Sequence, residues 1–204
     1  MVGAARLGEF TLAALLIELT PGPNMTYLAA LSVTRGAKAG FSAVCGVALG
    51  LATLGVCATF GLTRLIEASP ALYAALRFAG VAFMLWLAWD AWRADNGEAA
   101  VGRPALGAFG RGLVSNLLNP KAALFYLAVP PQFVDPARAP ASQLLTLVAI
   151  YVAIATLVHT GIVAGAATLR SGAVLQGAGA ARLRKAMAAL LALVALWLLW
   201  ETRR

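Results

Sequence analysis

Asn119-Pro120-Lys121 interrupts a long apolar stretch, and about half a chain length earlier Thr20-Pro21-Gly22-Pro23-Asn24 interrupts another. Proline, glycine, amide and charge are costly at membrane depth, because lipid cannot hydrogen-bond a freed backbone group. Two such breaks in corresponding places point to the substrate site of a secondary transporter. Pro21 and Pro23 each lack an N–H and disfavour helix in the preceding residue, so residues 8–19 and 23–34 read as two half-helices. Pro23 suits the first helical position, which leaves the N–H groups of Asn24, Met25 and Thr26 without acceptors in their own helix. The second break has the same grammar, with Asn119 as N-cap, Pro120 at the first helical position and Lys121 at the second.

Free N–H groups at the positive end of a helix dipole make an anion site. Lys121 sharpens this expectation. A cation beside a helix N-terminus is disfavoured by about 0.3–1 kcal/mol, and burial in lipid adds more. A negative partner is expected there, either a substrate carboxylate or Glu18. Glu18 lies about 17 Å along the first apolar stretch, close to mid-membrane. It reads as a proton carrier, as a partner for a substrate ammonium, or as one half of a fixed pair with Lys121. Asn24, Asn116 and Asn119 offer donors and acceptors to a zwitterion; their other reading is helix capping and interhelical bonding. His159, the single histidine, either relays protons or bonds between helices. The candidate substrate site is therefore Pro21, Gly22, Pro23, Asn24, Asn116, Asn119, Pro120 and Lys121, with Glu18 and His159 as candidates for ion coupling.

The elements that must position these residues are transmembrane helices. The chain has 204 residues, 61% of them hydrophobic and only 12% charged, with a mean hydropathy of +0.83. A soluble domain carries about 25% charged residues, so lipid is the main solvent here. The net charge of +8 does not imply nucleic acid, since the bases flank apolar runs and form no stripe with stacking aromatics. Runs of about 20 apolar residues predict six spans, roughly 7–34, 39–62, 71–92, 112–134, 143–168 and 183–200. The first, if continuous, is about 42 Å long, which leaves room for a non-helical joint within a bilayer core of about 30 Å. It lacks a cationic leader and a small-residue cleavage site, so it reads as a retained helix. Lys and Arg in the links divide nine to six, with Arg6, Arg64, Arg77, Arg138, Arg203 and Arg204 in the smaller set. The larger set belongs in the cytoplasm, which puts both termini in the periplasm.

A shift of 99 residues aligns the breaks and places Leu19, Pro21, Tyr27, Leu28 and Ala29 on Leu118, Pro120, Tyr126, Leu127 and Ala128. Three spans per half make the second half enter from the opposite side, which predicts an inverted repeat with facing breaks. The expectation is one transmembrane domain over 1–204: an all-α membrane protein of six helices, with helices 1 and 4 broken at the proline motifs. Its half-repeats run about 1–95 and 108–204, joined by a linker at 96–107. Cys45 and Cys57 sit about 18 Å apart on one helix, too far for a disulfide within it. No cysteine–histidine cluster supports a metal, and no motif asks for a cofactor. Gly46 and Gly50 form a small-residue pair that allows close helix packing, within the chain or in a homodimer.

At Thr20-Pro21-Gly22-Pro23-Asn24 together with Asn116-Leu117-Leu118-Asn119-Pro120-Lys121, the chain resembles the LysE/RhtB family of bacterial amino-acid exporters. Arg35-Gly36, Ala39-Gly40, Gly110-Arg111-Gly112 and Pro131-Gln132-Phe133 are further matches, and the resemblance runs from about residue 7 to residue 200. It implies an inner-membrane exporter of six helices that moves amino acids or close derivatives outward, by antiport with protons. It also implies that Pro21, Gly22, Pro23, Asn24, Asn119, Pro120 and Lys121 lie at the functional centre. Glu18 departs from the small or apolar residue expected there, so it bears on this member's substrate or coupling ion. Two other classes compete. An intramembrane hydrolase needs a serine opposite His159, and Ser42 in Gly40-Phe41-Ser42-Ala43 is the nearest, without the following glycine. A cation carrier needs clustered carboxylates, and Glu9, Glu18 and Asp90 are scattered. The reading is a transporter and not an enzyme.

Overall fold

Pro23 and Pro120 each start a helix, as residues without an N–H do at a first helical position. In the computed structural model, residues 2–20, 22–61, 69–93, 107–171 and 178–201 are described. They form α1 (Ala4–Leu19), α2 (Pro23–Arg35), α3 (Ala37–Thr59), α4 (Pro70–Arg93), α5 (Ala108–Leu117), α6 (Pro120–Ala128), α7 (Pro140–Ser171) and α8 (Ala178–Glu201). A 3-10 turn over Pro130–Phe133 follows α6, and no strand occurs among the described residues. Pro21, the linker apart from Gly107, and Arg64, Arg103, Arg203 and Arg204 lie outside the described residues.

Both expected breaks are present. The first predicted span is divided between α1 and α2, and the fourth between α5 and α6. The fourth also ends earlier than its apolar run, at Ala128, because Pro130 and Pro131 cannot supply the next helical N–H groups. Two described helices, Ala37–Thr59 and Pro140–Thr168, are each long and apolar enough to cross a membrane. Gly36 links α2 directly to α3 with φ 85° and ψ 172°, a combination open essentially to glycine alone.

Among the described residues, large apolar side chains are exposed while several polar and charged ones are buried. Leu12, Leu16, Phe60, Leu157, Leu193 and Trp200 are exposed, while Glu18, Asn24, Arg111, Asn116, Asn119, Gln143 and His159 are buried. Two apolar clusters hold the helices together. One gathers Phe10, Ala14, Leu51, Phe125, Leu147, Tyr151 and Ala155; the other gathers Tyr27, Leu28, Val44, Met84, Val163 and Leu191. His159 falls between Ala155 and Val163 along α7, and Glu18 and Asn24 fall between Ala14 and Tyr27. Glu18, Asn24 and His159 therefore lie in a layer between the two clusters. At one end of α4, Trp86 lies under Arg111 at 5.0 Å, Trp89 under Arg93 at 4.3 Å and Trp92 under Lys185 at 5.5 Å. Aromatic rings paired with cations suit an interfacial belt.

Close packing is concentrated where α3 meets α5. A Cβ added to Gly46 would overlap the Phe109 carbonyl oxygen and lie 2.8 Å from the Leu113 nitrogen, and one added to Gly112 would overlap the Ala43 carbonyl. The Gly46–Gly50 face is thus taken by α5 of the same chain and is not open to a second copy. Gly46→Ala is expected to lower stability by about 1–3 kcal/mol through overpacking, read as a lower melting temperature in detergent. Gly8→Ala serves as the control, since a Cβ at Gly8 meets nothing within 4 Å. Equal melting of the two variants would contradict this contact.

Candidate functional site

The start of each half-helix in one half of the chain reaches the helix end of the other half. Lys121, in the first turn of α6, donates from Nζ to the carbonyl oxygens of Ile17 at 3.1 Å and Thr20 at 2.9 Å. Those carbonyls belong to the end of α1, where helical acceptors are left over and the dipole is negative. In return, Asn24 in the first turn of α2 donates from Nδ2 to Asn116 Oδ1 at 2.7 Å. Asn116 lies near the end of α5, and its neighbour Ser115 donates from Oγ to Asn24 Oδ1 at 3.3 Å. A Cβ on Gly22 would lie 3.4 Å from Lys121 Nζ. Its φ of −159° is extended backbone, so Gly22 contributes space beside the ammonium.

Asn119 caps α6 as its type and position predict. Its side chain accepts from the Lys121 N–H at 3.0 Å, and its carbonyl accepts from Ala122 at 3.1 Å and Ala123 at 3.2 Å. The backbone donors at the start of α6 are therefore spent, and the free-amide anion site expected there is not formed; the ammonium of Lys121 takes over the anion-seeking role. At α2, Thr26 donates its N–H to Gly22 at 3.1 Å, so Thr26 also leaves the expected free set. For the Asn24 and Met25 N–H groups no acceptor is found among the described residues.

Glu18 bears on readings that the sequence left open. Its partners are not Lys121 but Tyr151, whose hydroxyl donates to Oε2 at 2.8 Å, and His159, whose Nε2 lies 2.9 Å from Oε1. Glu18 is 7% exposed and His159 is 1% exposed, so this carboxylate and imidazole form a buried couple tying α1 to α7. Lys121 needs no fixed carboxylate because carbonyl oxygens at a helix end supply negative potential. His159 thus contacts a second helix through Glu18. Its Nε2 lies against Glu18, and it makes no bond to Ser42 among the described residues, so the hydrolase arrangement is not formed there.

Glu18, Gly22, Pro23, Asn24, Asn116, Asn119, Lys121, Tyr151 and His159 surround one cavity of about 20 Å³, room for about one water. The structure thus brings together every described residue of the candidate site whose side chain is placed. Tyr151 was missed by reasoning on the sequence. Its signal was the i, i+4, i+8 series Tyr151, Ala155, His159 on one face of α7, together with the need of a buried tyrosine hydroxyl for a partner. Two donor groups at the cavity are unspent. Asn116 Nδ2 is buried with no partner among the described residues, and an ammonium has three N–H groups, of which Lys121 uses two. A carboxylate is the ligand these donors fit.

Polar side chains gathered between facing helix ends, inside a bundle with an apolar surface, define a membrane transporter. The chain matches the LysE type translocator family model over residues 15–202 and belongs to that family. Its relatives include an uncharacterised membrane protein of Pseudomonas aeruginosa, 34% identical over 163 residues, which are 73% of this chain and 74% of the relative. Leucine efflux proteins of an Enterobacter species and of Salmonella typhimurium are 33% and 36% identical over 138 residues, 65% of each chain. The match thus spans just under two thirds of those efflux proteins. No solved structure matches the chain. Translocators are transporters, not enzymes, and the chain is accordingly a membrane transporter and not an enzyme.

Proposed function

We propose that the chain exports leucine and similar apolar amino acids from the cytoplasm across the bacterial inner membrane, by alternating access coupled to protons. The observation that carries this reading is the pair of unspent donors, Asn116 Nδ2 and the third N–H of Lys121, at a buried cavity between helix ends. They suit a substrate carboxylate. Among the described residues no free carboxylate faces the cavity to match a basic side chain, since Glu18 is held by His159 and Tyr151. Pro21, Pro23 and Pro120 create the helix ends; Gly22 leaves room for the ammonium; Asn24, Asn116, Asn119 and Lys121 bind and orient. The name of the leucine efflux relatives agrees with this substrate class.

The whole chain acts as one transmembrane domain of six spans, built as two inverted three-helix repeats over about 1–95 and 108–204 with the linker at 96–107. What supports this is the exchange symmetry of the packing. Swapping the halves turns the contact α3–α5 into α7–α1 and α2–α7 into α6–α3, and returns α4–α8 and α3–α7 to themselves; all of these pairs pack. The reciprocal bonds of Lys121 and Asn24 follow the same exchange. The basic residue distribution puts both termini in the periplasm.

A cavity of about 20 Å³ is too small for an amino acid, so this is a closed state and the helix ends must part to load it. Proton coupling rests on Glu18 and His159, a buried ionisable couple within hydrogen-bond reach of each other. The test is efflux from cells that express the chain and are loaded with leucine by dipeptide feeding. Efflux should exceed that of cells without the chain and should accelerate as external pH falls, because each proton entering drives leucine out. Efflux equal to the control for leucine and for every other amino acid would sink the reading.

A further inference from the structure

A second cavity, of about 680 Å³, lies between the C-terminal ends of α3 and α6, the 3-10 turn and the start of α7. Gly55, Phe60, Tyr126, Pro131, Leu144 and Val148 are among its walls. It is a vestibule large enough for an amino acid, whereas the central cavity is not. The wall between the two is aromatic. Tyr151 faces the central cavity with its hydroxyl on Glu18, and Tyr126 lines the vestibule. Their rings meet edge-on at 5.4 Å and 90°, and Phe125 stacks on Tyr151 at 3.8 Å. Tyr126 is 3% exposed, yet its hydroxyl has no hydrogen-bond partner among the described residues. Such a buried orphan is costly unless another state or a ligand satisfies it.

We infer that this vestibule is a second amino-acid subsite, on the exit side of the central site, and that Tyr126 is the partition through which substrate passes between them. The inference rests on the proposed export reading. The walls are mainly apolar and fit a branched aliphatic side chain. The carbonyl ends of α3 and α6 border the vestibule, and their negative dipole ends suit an α-ammonium. The central site, with its N–H donors, suits the carboxylate. A substrate leaving the central site must pass Tyr126, whose hydroxyl can donate to the carboxylate or accept from the ammonium as the molecule crosses. The far end of the bundle is shut by backbone contact of α3 with α5 at Gly46 and Gly112, and by Arg111 over Trp86. The vestibule is at the α1 N-terminal end, since Phe10 packs on Phe133 of the turn at 5.4 Å. In the proposed orientation that end is periplasmic.

The test uses the full chain with Cys45→Ser and Cys57→Ser, two positions outside both cavities, and with Leu144→Cys as a reporter in the vestibule. In intact cells, a charged thiol reagent that cannot cross the membrane should label Leu144→Cys, and external leucine should slow that labelling. An alcohol carrying the same branched chain but no zwitterion should protect far less. Tyr126→Phe should raise the leucine concentration giving half protection roughly three- to tenfold, the size expected for one hydrogen bond. Adding Lys121→Ala should stop export and leave the protection in place. Labelling only from the cytoplasmic face of inverted vesicles would overturn the exit assignment. Labelling that leucine does not slow, or that the alcohol slows equally, in a chain with normal export would overturn the subsite alone. Normal export with Lys121→Ala would instead overturn the central site.

Discussion

Leucine export falls roughly 30- to 150-fold in Lys121→Ala while the protein still inserts and folds. The size follows from one charge-assisted hydrogen bond to a carboxylate, worth about 2–3 kcal/mol, converted at about 1.4 kcal/mol per tenfold. In the closed state the ammonium rests on the Ile17 and Thr20 carbonyls. When substrate arrives, its carboxylate competes for the same ammonium, and the end of α1 is released from α6. Alanine removes both the parking contact and the binding contact. Lys121→Arg should rescue only partly, because Gly22 leaves room for a compact ammonium at 3.4 Å from a would-be Cβ, and a planar guanidinium is broader. The measurement is efflux per molecule of protein in membranes, with expression and detergent melting as controls. Wild-type efflux from Lys121→Ala would remove this residue from the mechanism.

Glu18→Gln should abolish uphill export driven by a proton gradient while leaving exchange of labelled leucine at equal pH. Glutamine keeps the shape and the acceptor for Tyr151, and its amide nitrogen can face His159 Nε2, so the α1–α7 joint survives. What it loses is a site that gains and releases a proton. The neighbours are consistent with a coupling role: Glu18 sits between an imidazole at 2.9 Å and a phenol at 2.8 Å, and its cavity also holds Lys121. Proton arrival on Glu18 loosens the contact with His159 and so the tie between α1 and α7. The assay is leucine movement in proteoliposomes, once with a pH step and once without. Should Glu18→Gln still accumulate leucine against its gradient when the pH step is applied, coupling lies elsewhere. Loss of both modes together would mark Glu18 as a structural brace.

Helix positions were legible to within a few residues because their causes are local. A proline lacks its N–H wherever it sits, and an apolar run of about 20 residues seeks lipid whatever its neighbours are. Asn119 as cap and Pro120 at the first helical position both follow from covalent chemistry and spacing. The same cap spends the Lys121 N–H, so free amides at the second break are at odds with the N-cap that the sequence itself predicts.

The amino-acid order alone determined the apolar class of the chain, the two breaks, and most of the polar residues that crowd the central cavity, though not Tyr151. Tertiary structure alone decided who meets whom. Glu18 finds Tyr151 and His159 rather than Lys121, and Lys121 finds the carbonyls of a helix end. The Tyr126 hydroxyl is left without a partner among the described residues, beside a vestibule that no motif announces. The reason is that a break records a local cost to the backbone, whereas a partner is fixed by how helices distant in sequence lie side by side. That arrangement is set by backbone approach at glycines such as Gly46 and Gly112, and their contacts exist only once the bundle has closed.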